Sequence, residues 1–126
     1  MNRFLSLAVK LAMVNPEPKW KLAAVTTSGG RILSVGLNSF MQNESPPGTI
    51  PHECLGRHAE REALRFCNVT PRTIYVARVS KNFEIRLARP CEECYTAILN
   101  KGIRRIVYTT PIGWENETVR RARLAR

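Results

Sequence analysis

The pattern of apolar and polar positions divides the chain into helix-like and strand-like segments. From Asn2 to Asn15, apolar residues recur every three or four positions, which predicts an amphipathic helix that Pro16 ends. Two β-rich runs, Lys21–Thr27 and Arg31–Asn38, flank the Gly-rich turn at residues 28–30. This arrangement predicts a β-hairpin.

A long irregular loop is predicted at residues 41–57, which contain three prolines and two glycines. Loops of this length in small domains are often functional. The remaining predicted elements are a helix from His58 to about Asn68, a strand at Thr73–Val79 with a short extension of the sheet within Ser80–Arg89, a helix from Cys91 to Lys101 ended by Gly102, and a strand at Ile103–Thr109. After a turn at Pro111–Gly113, the tail from Trp114 to Arg126 is predicted as a strand followed by a helix, or as mostly helix.

This order of elements predicts the fold class. Two helices, each followed by a strand, indicate partly parallel pairing with helices on the faces of the sheet, and the hairpin adds an antiparallel part. We therefore expect an α/β protein, a three-layer α/β/α sandwich with a mixed, mostly five-stranded sheet. The length of 126 residues indicates one domain, residues 1–126.

The charge balance indicates which kinds of molecule the protein is expected to bind. The chain has 20 Lys and Arg residues against 10 acidic residues, a formal net charge of +10, and all of the acidic residues are glutamates. The lack of aspartate excludes a Ser-His-Asp triad and an EF-hand loop. The positive charge favours anionic partners such as nucleotides, nucleic acid or acidic membranes. No segment approaches the length of a membrane span and no convincing export signal is present, so a cytoplasmic location without membrane association is expected.

Two short motifs carry the candidate chemistry, His58-Ala59-Glu60 and Pro90-Cys91-Glu92-Glu93-Cys94. The spacing of Cys91 and Cys94 at a helix start places both sulfurs on one face of the first turn, where the helix dipole is expected to lower the pKa of both thiols. Pro90 suits the first helical position. His58, Cys91 and Cys94 form a three-ligand set of the kind that zinc prefers, which leaves a fourth position for water.

Glu60 is predicted to act as a general acid/base, taking a proton from water and delivering it to the substrate. The combination H-x-E…P-C-x-x-C is the signature of zinc deaminases. One alternative is a closed structural zinc site, which would need a fourth ligand from Cys54, Cys67 or His52. A redox pair formed by the C-x-x-C motif is another alternative, but it leaves His58 and Glu60 unexplained.

The sequence resembles the cytidine/deoxycytidylate deaminase superfamily, through GRHAEREAL (residues 56–64) and ARPCEECYTAILNKGIRRIVYTT (residues 88–110). Its compact form is similar to small deaminases of bacteriophages. The resemblance implies a cytidine deaminase-like fold, zinc-dependent hydrolytic deamination of an aminopyrimidine or less often of adenine, and assembly as a homo-oligomer. By position, it implies that His58, Cys91 and Cys94 bind zinc and that Glu60 moves protons.

The resemblance also suggests substrate contacts. The backbone at Ala59 and Cys91 would border the reacting amide, and Asn38, in a G-x-N motif, would contact the sugar or base; alternatively, Asn38 is a turn residue that closes its strand. Trp114 either stacks on a base or packs the tail against the sheet, and Phe40 and Met41 leave the same two interpretations open.

Two further features are open at this stage. His52 and Cys54, with Cys67 as a distant partner, are candidate ligands of a second, structural zinc, although a loop histidine and a small apolar cysteine are the favoured interpretation. The tail at residues 120–126 contains four arginines, which either bind phosphates or RNA or form a solvated helix end.

Three functions follow in order of preference. The first is deamination of a free cytosine nucleoside or nucleotide, with deoxycytidylate or cytidine favoured. The second is deamination of cytosine or adenine in single-stranded DNA or tRNA, which the positive charge favours. The third is a zinc-stabilised binding protein without catalysis, against which the intact Glu60 argues.

Overall fold

A central mixed sheet with helices on both faces forms the architecture in the computed structural model, which describes residues 2–39 and 58–118. The elements are α1 (Arg3–Val14), β1 (Trp20–Ser28), β2 (Arg31–Leu37), α2 (Ala59–Arg65), β3 (Thr73–Ser80), β4 (Ile85–Arg86), α3 (Glu92–Lys101), β5 (Arg105–Thr110) and β6 (Gly113–Thr118). The predicted three-layer fold is confirmed. No helix among the described residues is long and apolar enough to cross a membrane.

In the described part of the chain, six strands form the sheet, whereas the sequence predicts a mostly five-stranded sheet. Five strands follow the order β2-β1-β3-β5-β6, and the two-residue β4 pairs with the end of β3. The strands β3 and β5 are parallel, as expected for strands joined through α3, and the other pairs are antiparallel. The first part of the tail is β6, and the residues after Thr118 lie outside the described part of the chain.

Each face of the sheet buries its own apolar cluster. On one face, α1 packs through Leu5, Ala8 and Ala12 against alternate residues of β1 and β3, including Val25 and Tyr75. On the other face, α2 and α3 pack against the intervening positions of the same strands. The residues that join this second cluster include Ala24, Ala59, Ala63, Ile74, Val76, Ile98 and Ile106.

The helix ends differ in detail from their predicted positions. Gly102 ends α3 in the left-handed conformation, with φ of 95°, as predicted. Helix α2 is shorter than expected and ends at Arg65. Pro90 was expected at the first helical position, but α3 begins at Glu92, because Cys91 is the N-cap and has extended backbone angles. Pro90 therefore precedes the helix.

Helix α2 lies unusually close to strand β2 at Gly36. A Cβ atom at this position would collide with the backbone at Ala59 and Ala63. The Ser34 hydroxyl in the same strand donates a hydrogen bond to the Ala63 carbonyl at 2.6 Å. The absence of a side chain at Gly36 therefore sets how near α2 can approach the sheet.

We expect Gly36→Ala to lower the free energy of unfolding by about 2 kcal/mol or more, because overpacking a close contact typically costs about 1–3 kcal/mol and here the obstacle is backbone. Denaturant unfolding measures the change. Val35→Ala is the matched control, since Val35 is exposed in the same strand, and it should cost less. Equal unfolding midpoints for the two variants would contradict this account.

A polar cluster around Glu117 adds side-chain contacts to the pairing of β6 with β5. Arg89 donates to both Glu117 carboxylate oxygens, at 2.7 and 3.2 Å, and the Tyr108 hydroxyl donates to the same carboxylate at 2.7 Å. The hydrogen bond from Arg89 is the main cause that lowers the pKa of Glu117, and Tyr108 adds to it. The carboxylate is thus stabilised in its charged form.

A lowered pKa in the folded state means that the stabilisation is present above the ordinary pKa of 4.5 and is lost as the pH falls through the lower folded value. We expect Glu117→Gln to be less stable than the wild type near neutral pH, with the difference vanishing in acid. Thermal melts across pH measure it, with Glu92→Gln on the exposed side of α3 as the control. A difference independent of pH would contradict the prediction.

Candidate metal centre and active site

The first turns of α2 and α3 meet at one end of the sheet and bring the two sequence motifs together. His58 is the N-cap of α2, and Cys91 is the N-cap of α3. Each helix runs back along the sheet to the start of the next strand, so both helices begin at the end where β3 finishes. Residues 33 positions apart in sequence therefore become neighbours.

The imidazole and the two thiols converge on one point. The Nδ1 atom of His58 lies 3.1 Å from the sulfur of Cys94 and 3.7 Å from the sulfur of Cys91. The ligand atoms of all three residues lie within 4.8 Å of one another. One nitrogen and two sulfur donors at this spacing match the ligand preference of zinc, and three protein ligands leave one position open. We call His58, Cys91 and Cys94 together the metal cluster. The metal cluster is compatible with one zinc ion.

The predicted effect of the helix dipole on Cys94 is not what the structure shows. Burial raises the pKa of the Cys94 thiol, and the negative charges of Glu60 and Cys91 beside it raise it further. Desolvation and like charge therefore outweigh the effect of the helix dipole on the Cys94 thiol. A cation bound between these residues would lower the pKa of the thiol, and it would thereby offset both the burial and the neighbouring negative charge.

Glu60 is buried beside the cluster, in the first turn of α2, with 3% of its surface exposed. Burial raises the pKa of Glu60, while hydrogen bonds from its own backbone N–H and from the Cys94 thiol oppose the rise. In the described part of the chain, the Oε1 atom is buried and has no hydrogen-bond partner. Burying a polar atom without a hydrogen-bond partner costs free energy of folding. At Glu60, the same atom is available to accept a proton.

Asn38, which is predicted to contact the substrate, is buried directly after β2, and its side chain forms hydrogen bonds to other residues of the protein. Its Oδ1 atom accepts hydrogen bonds from Asn15 Nδ2 and the Leu22 backbone N–H, both at 2.8 Å, and its Nδ2 donates to the Trp20 carbonyl at 3.0 Å. These bonds tie the start of β1 to the ends of α1 and β2. A contact between Asn38 and substrate stays a prediction.

Trp114 does not share the face of the sheet on which α2 and α3 pack. It lies opposite Thr109 in the β5–β6 register, and the neighbouring Val107 packs in the α1 cluster. Side chains of directly paired residues, and of every second residue along a strand, lie on the same face. Trp114 is therefore on the α1 face and 44% exposed, so the structure does not bring it to the metal cluster.

The remaining candidates divide by position. Ala59 is fully buried at the first position of α2, where its methyl group packs in the second cluster, and the role of its backbone stays a prediction. Cys67 lies at the far end of α2, where its thiol donates to the Val69 carbonyl at 3.2 Å. The candidates Phe40, Met41, His52, Cys54 and the Arg-rich tail lie outside the described residues.

Gly36 is a positioning residue that the G-x-N motif alone does not reveal. Its close contact with Ala59 and Ala63 sets the position of α2, which begins beside His58 and carries Glu60. The local signal is a glycine near the end of a strand, which indicates a close backbone approach without identifying the partner.

Comparison with known families agrees with this geometry. The family model described as the cytidine and deoxycytidylate deaminase zinc-binding region matches residues 1–110. The chain belongs to the cytidine and deoxycytidylate deaminase family. The resemblance found in the sequence is thereby confirmed, and a deaminase of cytosine nucleosides or nucleotides is the activity that the family supports. No curated protein matches the chain significantly.

Solved structures of deaminases share the fold. A dCMP deaminase from the cyanophage S-TIM5 superposes with a TM-score of 0.61 at 18% identity, covering 87% of this chain and 86% of the other. That phage enzyme has also been solved in complex with dCMP and dUMP. A cytidine deaminase from Mycobacterium tuberculosis gives a TM-score of 0.57 at 16% identity, with 89% and 85% of the chains covered. At these identities, the likeness establishes the fold of this family member.

We expect the purified protein to contain one zinc per chain and Cys94→Ser to lose it and melt at a lower temperature, because metal binding contributes to folding. Elemental analysis and thermal melting measure the two effects. Cys67→Ser is the matched control, since its hydroxyl can still donate to Val69, and it should keep the metal. Equal zinc content in Cys94→Ser and the wild type would contradict the assignment of Cys94 as a ligand. Two zinc ions per chain would support the second, structural zinc site considered for His52 and Cys54.

Proposed function

We propose that the protein is a zinc-dependent hydrolase that converts a cytosine nucleoside or nucleotide, of the deoxycytidylate or cytidine class, to its uracil form with release of ammonia. The observation that carries this proposal is the meeting of His58, Cys91 and Cys94 with the buried Glu60 carboxylate at one end of the sheet. Among the described residues, the cluster offers three donors beside an acid/base, an arrangement that suits hydrolysis better than a closed structural site.

In this proposal, three residues bind the metal and a fourth transfers protons. When bound, zinc supplies the Lewis acidity that makes water acidic enough to lose a proton near neutral pH. His58, Cys91 and Cys94 would hold the metal. Glu60 accepts the proton from water and delivers it to N3 of the cytosine ring, while the oxygen of the water attacks C4.

The same carboxyl group completes the reaction. After attack at C4, Glu60 takes the proton of the new C4 hydroxyl and delivers it to the amino group, so that the C–N bond breaks, ammonia leaves and the C4 carbonyl of the uracil form remains. The sum is one water consumed and one ammonia released, with no oxidant or reductant required. Burial of Glu60 beside the metal cluster keeps this proton transfer away from bulk solvent.

A substrate panel tests the proposal. The wild-type protein loaded with zinc is incubated with cytidine, deoxycytidine, their monophosphates, single-stranded DNA and tRNA, and ammonia and product mass are followed. We expect turnover of the free cytosine compounds. Turnover of polymers alone would replace the proposal with a polynucleotide deaminase, and no turnover with zinc bound would favour a binding protein.

We expect Glu60→Gln to keep its zinc and lose at least about a hundredfold in kcat, since general acid/base catalysis contributes roughly 10²–10⁴ in rate. Ammonia release and metal content are measured on the same preparation. Glu62→Gln makes the same chemical change two residues further along α2 and should retain activity. Near wild-type turnover by Glu60→Gln would remove the proposed role.

A further inference from the structure

Basic side chains gather at the end of the sheet opposite the metal cluster. At this end β1 finishes, β2 begins, and β3 and β5 begin after the last turns of α2 and α3. All but one of these cationic residues are exposed, and the exception, Lys101, is half-buried. We call six of them together the basic end: Arg31, Arg65, Arg72, Lys101, Arg104 and Arg105.

Backbone hydrogen bonds hold the central arginines of the basic end side by side. The N–H groups of Arg104 and Arg105 donate to the Arg72 carbonyl at 3.1 and 3.2 Å. The Arg72 N–H donates to the carbonyl of Thr27, at the end of β1, at 2.9 Å. These bonds involve only the backbone, so the three guanidinium groups remain available to a ligand.

A side-chain contact joins the ends of the two helices to this surface. The Lys101 ammonium, in the last turn of α3, donates to the Cys67 carbonyl at 3.0 Å. Cys67 lies two residues beyond Arg65, the last residue of α2. The cations from both helices and from the strand starts therefore form one continuous surface.

Few carboxylates oppose this charge. At the basic end, Arg65 pairs with Glu62 at 3.9 Å, whereas Arg89, near the other end, holds the Glu117 carboxylate. Within residues 2–39 and 58–118, the arginines of the basic end that pair with no carboxylate are Arg31, Arg72, Arg104 and Arg105. The fold therefore leaves several like charges together without neutralising them.

Helix stability explains only part of this arrangement. Arg65 and Lys101 lie in the last turns of their helices, where a cation interacts favourably with the helix dipole. Arg72 and Arg104 belong to no helix, and Arg105 begins a strand. Concentrating like charges destabilises a compact fold, so a cluster of this kind without a structural gain indicates a surface for an anionic partner.

An exposed aromatic ring lies within the basic end and indicates which kind of anion it fits. Phe66 is the C-cap of α2 and is 63% exposed, and the guanidinium carbon of Arg65 lies 5.7 Å from the ring centroid. Cations around an exposed ring suit a single-stranded polynucleotide, because its phosphates pair with the cations and its bases stack on the ring. An acidic protein segment would use the cations but not the ring.

The sequence adds further positive charge beside this surface. Thr118, at the end of β6, pairs with Arg105 in the β5–β6 register. The chain therefore continues from the basic end, and residues 120–126 include four arginines. Their charge adds to the field that attracts a polyanion.

We propose that the basic end binds single-stranded nucleic acid at a surface separate from the active site. Phosphates of the strand contact Arg72, Arg104 and Arg105, and a base stacks on Phe66. The ten residues of α3 hold this surface about 15 Å from the start of that helix, where the metal cluster lies. The surface anchors the protein to a polynucleotide whether or not the polymer is its substrate, so the inference does not depend on the proposed function.

Fluorescence anisotropy with labelled oligothymidine and oligouridine tests the surface. The bases of these polymers carry no amino group, so neither polymer can be deaminated. We compare the wild type with the double variant Arg72→Gln/Arg104→Gln. The matched control is Lys10→Gln/Lys81→Gln, which removes two exposed charges elsewhere and gives the same net charge.

We expect the arginine double variant to weaken binding roughly tenfold or more, and the lysine control far less. The slope of log K against log salt should fall in magnitude by about 1.4, because each phosphate contact to a single strand contributes about 0.7. Arg72→Lys/Arg104→Lys, which keeps the charge, should bind nearly as well as the wild type. Thermal melts and zinc content verify that each variant folds.

Phe66→Ala tests the stacking contact. We expect roughly fivefold or more weaker binding of both oligonucleotides, as is typical when an aromatic side chain that stacks on a base is removed. Val69→Ala is the matched control, since Val69 is also apolar and exposed just after α2 but has no ring. An oligonucleotide without bases cannot stack, so the wild type and Phe66→Ala should bind it equally.

Several outcomes would overturn the surface. Equal losses in the arginine and lysine double variants would show that net charge alone governs binding. Unchanged affinity in Phe66→Ala, or binding of polyglutamate as tightly as of the oligonucleotides, would show a surface for any polyanion or for an acidic protein. Tighter binding of oligothymidine or of oligouridine supports the surface and identifies DNA or RNA as its ligand.

Competition separates this surface from the active site. Excess deoxycytidylate should not displace oligothymidine from the Glu60→Gln protein, and displacement would place the polymer in the active site and overturn the inference. If the wild type deaminates nothing yet binds the oligonucleotides through the basic end, the proposed function fails and the surface stands. Deamination of free nucleotides without oligonucleotide binding would overturn the surface alone.

Discussion

The close contact between α2 and the β2 backbone is the constraint on which the site depends. At Gly36, the backbone of α2 occupies the space that a side chain would fill, and the small residues Ala59 and Ala63 complete the approach. His58 caps this helix and Glu60 lies in its first turn. Any outward displacement of α2 would move both groups away from Cys91 and Cys94, which a different helix carries.

The electrostatics of the cluster are compatible with a bound cation. A buried carboxylate and two thiols lie close together. Burial raises the pKa of both Glu60 and Cys94, and the negative charges of Glu60 and Cys91 raise the pKa of Cys94 further. Such groups are costly to hold together without positive charge. The arrangement is therefore better explained by function than by stability, in keeping with the tendency of perturbed ionisable groups to gather at active sites.

The fold brings several of the basic side chains together in one place. From composition alone, a net charge of +10 indicates only an anionic partner. In the fold, the short β4 strand places Arg86 opposite Arg78, and both belong to a cavity on the face that carries the metal cluster. The β3–β4 hairpin thus gathers positive charge at the end of the sheet where the His58 and Cys91 motifs meet.

Local spacing in the sequence determined the helices, the hairpin and the buried strands. It also indicated the metal chemistry, because the candidate ligands Cys91 and Cys94 are spaced as one helical turn and His58 and Glu60 lie close together in another motif. The family resemblance added the pairing of the two motifs. Only the tertiary structure decided which side chains meet across the sheet. It placed Trp114 on the α1 face, engaged Asn38 with Asn15 and Trp20, and set Gly36 against α2. These contacts depend on strand pairing and on which helix covers each face, and such properties arise from residues far apart in the chain.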